Sequence, residues 1–379
     1  MLHVPLNRNF GGSRVQLELA EEWQKQGHHI TKFDANDAYP QAKHSLFHTL
    51  TRPRFHTKAE QFIREQGHRF DIIDAHQGNV TCSKASLGFS GLWVTRSVGL
   101  YPLYEAFRRS TLGNVPESWK TRLVNGVLAW RDRKEMSHCF QSYHHCDLIN
   151  LPNPDEKAYL NQAAGLGEKC VVFPFGLSDQ RLTTLQQSSK PPAVRLQSPQ
   201  VVFIGTWCLR KGSKDWPQII QRVKAAIPEV QFLFLGTGSP ANVVLEDLNL
   251  PSSDGIKIIP SYDSDTLPHL LENGTVGVFP SYIEGFGFAV LEKLAAGIPT
   301  IAYDVPGPRE MLQQSPLPLM VQVGDTQALS QKLIDLLRLE VTQYSSLVRD
   351  CQTIAETFRW SRIATEMLAV YQEHLTQFQ

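Results

Sequence analysis

The chain has 379 residues, 42% of them hydrophobic, with 37 basic residues against 37 acidic ones. That length sets two domains as the starting expectation, and the composition is that of a globular protein able to bury sizeable cores. Zero net charge argues against a dedicated nucleic-acid binder, and no apolar stretch approaches the ~20 residues needed to span a bilayer.

In chain order, the first expected element is a short strand, Leu2 to Leu6. It runs through Asn7-Arg8-Asn9-Phe10-Gly11-Gly12-Ser13 into a helix with Val15, Leu19 and Trp23 at four-residue spacing and Gly27 as its stop. A strand-like Ile30–Phe33 follows and ends at Asp34. This is a βαβ opening with a Gly-Gly turn at the strand's carboxyl end, the edge where ligands bind in doubly wound sheets. The pattern repeats: a helix near Lys58–Gln66, strand Phe70–Ala75 leading to His76, and strand Leu92–Arg96 leading to Ser97-Val98-Gly99. Residues 101–137 are polar, basic and aromatic, and read as a helical insertion on the acceptor side. Strands Leu148–Leu151 and Cys170–Phe173 complete the first series.

Residues 181–199 are rich in Gln, Ser, Pro and Lys with little apolar periodicity, and read as a linker. A second βα series begins at Val201–Gly205. It continues through Gln231–Leu235, Ile256–Ile259, Val276–Phe279, Thr300–Tyr303 and Leu319–Val323. An amphipathic helix closes the chain, with Ile363, Met367, Leu368, Tyr371 and Leu375 on one face.

The most informative segment is Glu284-Gly285-Phe286-Gly287-Phe288, with Glu292 eight positions after Glu284. An apolar strand leads in and a helix follows. A strand, a Gly loop and a helix start aim backbone N–H groups and the positive end of the helix dipole at one spot, which suits a diphosphate. Glu292, about one turn into the helix, can accept hydrogen bonds from ribose hydroxyls, and Glu284 on the loop can meet a sugar. The second motif is Gly205-Thr206-Trp-Cys-Leu-Arg210-Lys211-Gly212. Cations on a strand-end loop can hold the negative charge of a departing diphosphate without a metal. Taken alone, the first motif is a common chance spacing and the second an ordinary basic turn; it is their combination that points to a site.

Together these residues resemble the E-x7-E signature and phosphate-binding loop of the retaining glycosyltransferases of family four, a group of two-domain GT-B proteins. The resemblance covers nearly the whole chain and is specific in its C-terminal half. It implies an α/β fold of two Rossmann-like, doubly wound parallel-sheet domains facing across a cleft. Residues 1–180 would form the acceptor-binding domain, 181–199 the linker, 200–357 the nucleotide-sugar donor domain and 358–379 a helix packing back on the N-terminal domain. The activity implied is transfer of a sugar from a nucleotide-diphosphate sugar to an acceptor hydroxyl, with no metal or other cofactor. Arg210, Lys211 and the N–H groups after Gly287 would hold the diphosphate, and Glu292 the ribose. Glu284 and the backbone of Gly285, Phe286, Gly287 and Phe288 would hold sugar hydroxyls. Gly205 and Thr206 would line the donor site, Tyr262 or a neighbour would pack the base, and Gly11 and Gly12 would lie near the diphosphate and the reacting sugar. His76 resembles a histidine found after this strand in many members.

Two departures stand out. Thr206 occupies the position where an arginine is common, leaving Arg210 to share the phosphate role with Lys211. Val98 stands where members often have a histidine near the transferred sugar, and its side chain can neither donate nor accept a hydrogen bond. Either Arg96, Ser97 or His76 takes over, or catalysis is weakened. A catalytically weak nucleotide-sugar-binding partner is therefore one alternative reading, and a sugar-nucleotide epimerase another; no lysine-bound cofactor motif supports a phosphorylase.

Three further motifs read as unrelated to the site. Asp263-Ser-Asp265 precedes Leu267–Leu271 and suits a helix cap better than a metal. Phe234-Leu-Gly236-Thr-Gly238 lacks the third glycine and downstream acid of a dinucleotide fingerprint. His138-Cys139 and His144-His145-Cys146 match no common zinc spacing. The first six residues lack the regions of a signal peptide, and the six cysteines form no C-x-x-C pair. The expectation is a cytoplasmic protein with reduced thiols, whose slightly basic N-terminal half allows at most a weak peripheral contact with anionic lipid.

Overall fold

The computed structural model describes residues 1–8, 11–40, 54–112, 119–250 and 252–376, with the side chains of 112–129 left out. Asn9 and Phe10 of the first loop, and part of the insertion expected at 101–137, lie outside the described residues. The chain divides into two compact units, Met1–Pro174 with Arg362–Gln379, and Phe175–Ser361.

The first unit holds a parallel sheet of β1 (Ile72–His76), β2 (Leu92–Arg96), β3 (Leu148–Leu151) and β4 (Cys170–Val172), in that order. All five residues of β2 are buried, as expected for a central parallel strand covered on both faces. One face packs on Ala59 and Ile63 of the helix Phe55–Gln66 and on Cys139 and Tyr143 of the helix Trp119–His145. From Arg362 onward the final helix, Trp360–Thr376, also belongs here: Trp23 Nε1 donates to the Ala364 carbonyl at 3.0 Å, and Asn150 Nδ2 donates to the Tyr371 hydroxyl at 2.7 Å. Arg96, fully buried, pairs with Asp74 at 2.5 Å and donates to Tyr371 at 3.2 Å.

The strands expected at Leu2–Leu6 and Ile30–Phe33 do not form. The two segments share one backbone bond, Leu2 N to Phe33 O at 3.1 Å. Other donors of the first segment are diverted: Pro5 has none, Leu6 N donates to the Asp34 carboxylate at 2.8 Å, and the neighbouring Asn7 N donates to Ser13 Oγ at 3.3 Å.

Residues 181–199 are not a linker. They lie within the second unit, where they contribute to the helices Asp179–Ser188 and Pro192–Gln197. Ser178 caps the first by accepting from Arg181 N at 3.3 Å, and Leu182 and Leu185 bury one side of it completely. Two leucines three positions apart suffice to anchor a helix whose remaining residues are mostly polar. The unit boundary accordingly falls between Pro174 and Phe175.

The second unit carries a six-stranded parallel sheet: β5 (Gln200–Ile204), β6 (Gln231–Leu235), β7 (Ile256–Ile259), β8 (Val276–Phe279), β9 (Thr300–Tyr303) and β10 (Met320–Val321). Its order is β10-β9-β8-β5-β6-β7. The succession reverses at β5, which pairs with both β6 and β8. Such a reversal opens a crevice at the carboxyl ends of the flanking strands, the preferred ligand position in this kind of sheet.

Candidate active site

Four loops gather at the carboxyl ends of β5, β6, β7 and β8. After β5, Gly205 N bonds to Leu235 O at 2.9 Å and Trp207 N to Thr237 O at 2.7 Å, so this loop is tied to the one after β6. It then turns through Leu209–Lys211 and leaves the turn at Gly212, whose φ is +76°. A Cβ at Gly212 would run into the Pro280 carbonyl oxygen, so a glycine here allows the β5 loop to lie directly on the β8 loop. Tyr282 N then donates to Arg210 O at 2.9 Å. This contact delivers Arg210 and Lys211 to Glu284.

Glu284 lies against both cations. Lys211 Nζ donates to Glu284 Oε2, and Arg210 Nη1 stands 3.5 Å from the same oxygen. The Lys211 ammonium also lies 4.6 Å from the centroid of the Phe279 ring. Burial pushes the Lys211 amine below its ordinary value, and the Glu284 charge only partly offsets this. Burial would raise the Glu284 carboxyl, but Lys211 and then Arg210 outweigh it and hold it below the usual carboxylate range. Two cations thus face one carboxylate in a mostly buried place, and the excess positive charge favours an anionic ligand.

Gly287, at φ +93°, starts the helix Phe288–Ala295, which carries Glu292. Glu292 is buried and accepts from Arg181 Nη2 at 2.9 Å, while Arg181 Nη1 donates to Ser264 O at 2.6 Å. Arg181 escaped the sequence reading because it lies in the segment taken as linker. The Phe286 ring is core, packed 5.1 Å from Phe175, so this residue can offer a ligand only its backbone. Tyr262 sits on the loop after β7 with its ring against Gly236, and Gly238 faces the Thr206 methyl. Gly236 and Gly238, which lack a dinucleotide fingerprint, therefore border two of the candidate site residues. Asp263 caps the turn Ser264–Thr266 by accepting from Asp265 N at 3.0 Å.

In the first unit, Gly11 and Gly12 open the helix Gly11–Lys25. Val98 Cγ2 lies 3.5 Å from where a Gly12 Cβ would be, so the substituted position does border the Gly-Gly turn. Of its three candidate replacements, Arg96 is committed to Asp74 and Tyr371, and Ser97 Oγ donates to Glu156 Oε2 at 3.0 Å. His76 remains. Its Nδ1 is 3.1 Å from the Gln77 carbonyl oxygen, which can only accept, so Nδ1 carries the proton and Nε2 the lone pair. Burial, with the neighbouring His3 adding to it, pushes His76 down to about 3. A depressed folded-state value means that the unfolded chain binds the proton first. The stability this histidine contributes is therefore complete above pH ~6.5 and is lost as pH falls towards 3. At pH 5 the loss is on the order of 2 kcal/mol. Thermal denaturation at pH 7 and pH 5 should show a smaller acid-induced drop in midpoint for His76→Gln than for the unsubstituted chain; equal drops would contradict the assignment.

Among the described residues, no group of three or more His, Cys, Asp or Glu side chains could hold a metal ion, and no helix is long and apolar enough to cross a membrane.

With this geometry in hand, comparison with known proteins is decisive for the second unit. Residues 198–339 match the family described as glycosyl transferases group 1. They form a group 1 glycosyltransferase domain. Over 323 residues the chain is 23% identical to the phosphatidyl-myo-inositol mannosyltransferase of Mycobacterium leprae, covering 84% of this chain and 77% of that protein. Among solved structures, the sucrose-phosphate synthase of Thermosynechococcus elongatus superposes with a TM-score of 0.70 at 19% identity, covering 98% of this chain and 95% of that one. The Anabaena protein Alr3699/HepE, in complex with UDP and glucose, superposes with a TM-score of 0.63 at 14% identity, covering 98% of both chains. The fold is that of the GT-B glycosyltransferases, and the chain is a glycosyltransferase. The domain match contains Arg210, Lys211, Glu284 and Glu292 but leaves out Arg181.

Proposed function

We propose that this glycosyltransferase works with retention of anomeric configuration, taking a sugar from a nucleotide-diphosphate donor to an acceptor hydroxyl without a metal ion. The observation that carries the proposal is the two-to-one arrangement of Lys211 and Arg210 around Glu284, set at the strand reversal of the second unit. A diphosphate arriving there takes Lys211 and Arg210 as counter-ions. Glu284 and the backbone of residues 285–288 accept and donate to sugar hydroxyls, Glu292 takes the ribose, and Tyr262 packs the base. The presence of UDP and glucose in one neighbour of the same fold supports a donor of this class.

That charge distribution supports the leaving-group half of the proposed reaction, and attack from the same face is what the family resemblance implies. As the bond from the anomeric carbon to the diphosphate oxygen lengthens, charge builds on the leaving oxygen, where Lys211 and Arg210 stabilise it more strongly than in the ground state. The acceptor hydroxyl attacks from the same face, and the leaving phosphate receives its proton. No side-chain nucleophile is needed. The roles of Gly11, Gly12 and His76 rest on the family resemblance. The acceptor is a hydroxyl of a glycan, a lipid or a small metabolite. The described free cysteines support a cytoplasmic location.

Val98 beside Gly12 favours a second reading, a donor-binding partner of low activity. The two separate in one experiment: UDP-, GDP- and ADP-sugars are incubated with an acceptor panel, with and without EDTA, and the product's anomeric coupling is read by NMR. A retained anomer formed equally in EDTA supports the proposal. An inverted anomer or dependence on a metal contradicts it, and donor binding without turnover favours the second reading.

A further inference from the structure

We infer that Arg181 is a positioning residue that fixes Glu292 for ribose and joins the ribose and base ends of the donor site. The inference rests on the proposed role of Glu292. Two facts place the backbone of Arg181: the Ser178 cap accepts its N–H, and the next residue, Leu182, is wholly buried. Its guanidinium is planar, so its two bonds have a fixed relative direction. One goes to Glu292 Oε1 at 2.9 Å, on the helix after β8. The other goes to Ser264 O at 2.6 Å, two residues beyond Tyr262 on the loop after β7. A single rigid group therefore sets the distance between the acid and the tyrosine-bearing loop.

The chemistry explains why an acid needs such a partner here. Vicinal ribose hydroxyls are recognised by a carboxylate only if its oxygens are held in the plane where both O–H groups can reach them. A buried carboxylate without a counter-ion is costly and turns towards whatever donor is near. Arg181 and Glu292 are both close to nine-tenths shielded, with side-chain exposures of 11% and 7%. Holding Oε1 from the protein side orients the remainder of the carboxylate. A lysine at this position keeps the charge but reaches only one of the two acceptors with a fixed direction.

The test is a ratio that a merely structural role leaves unchanged. Calorimetric titration is carried out with UDP, GDP and ADP, and with the 2′-deoxy and 3′-deoxy counterpart of each, on the unsubstituted protein, Arg181→Met, Arg181→Lys and Glu292→Gln. The unsubstituted protein should prefer the ribonucleotide that binds it over its deoxy forms about tenfold, the worth of one hydrogen bond to a charged group. Arg181→Met and Glu292→Gln should each bring that ratio close to one, with Arg181→Lys between. If Arg181→Met does not fold, Arg181→Lys carries the test by the same ratio. An unchanged ratio in the Arg181 variants, with collapse in Glu292→Gln, overturns the role of Arg181 and leaves the ribose site standing. An unchanged ratio in Glu292→Gln, or no nucleotide bound by the unsubstituted protein, overturns both.

Discussion

Lys211→Met should lower kcat/KM for sugar transfer about a thousandfold while leaving the fold intact. The size follows from the position of the ammonium. It stands in a mostly buried place against Glu284 and the Phe279 ring, where a charge acts through a low dielectric on a developing anion. Loss of one such donor elsewhere costs 10²–10³ in rate, and a thousandfold corresponds to about 4 kcal/mol of transition-state stabilisation. Arg210 remains, 3.5 Å from Glu284, and sustains a residual rate. Lys211→Arg keeps the charge but brings a wider head into the space beside Phe279, so a smaller loss is expected. Steady-state kinetics with circular dichroism as the folding control decide the matter. A loss below tenfold in Lys211→Met would place the leaving-group charge elsewhere.

Glu284→Gln should separate binding from chemistry. With the carboxylate gone, Lys211 and Arg210 no longer have it as counter-ion, and a bare nucleoside diphosphate meets two cations without a competing anion. Its affinity should rise several-fold, by the Coulombic attraction previously spent on Glu284. Sugar transfer should nevertheless fall about a hundredfold, because the group that accepts from the sugar's hydroxyls has become a weaker and partly donating amide. Calorimetry for the diphosphate and kcat for the donor sugar must therefore move in opposite directions. A parallel fall in both would mean that Glu284 serves only to hold the two loops together.

The second unit was largely legible in the sequence, because its β5, β6 and β8 are short, nearly continuous apolar runs ending in glycine or proline. The pairing of Lys211 with Glu284 was not. Those residues lie 73 positions apart, and contacts between their loops, among them the Gly212–Pro280 contact and the Tyr282–Arg210 bond, bring them together. Arg181 was hidden for a different reason: a helix anchored by Leu182 and Leu185 in polar surroundings has the composition of a linker. Leu2–Leu6 and Ile30–Phe33 show the opposite failure. Their apolar content suggested strands, but side chains and Pro5 divert the backbone donors that a ladder needs. The phosphate loop was proposed from a motif and Tyr262 from its place in the chain, whereas Gly236 and Gly238 were weighed only as a dinucleotide fingerprint, although they lie against Tyr262 and Thr206.

Nucleotide binding to the unsubstituted protein and to Glu292→Ala tests the central claim most directly. UDP, GDP, ADP and dTDP, with their common sugars, are compared in a thermal-shift panel. A ligand bound at one hundred times its Kd stabilises the folded chain by about 2.7 kcal/mol, enough to read as a shift in midpoint. One nucleotide family should raise the midpoint of the unsubstituted protein, with a much smaller shift in Glu292→Ala. An equal shift in both proteins, or none with any nucleotide, would contradict a donor site built on the loops after β5 to β8.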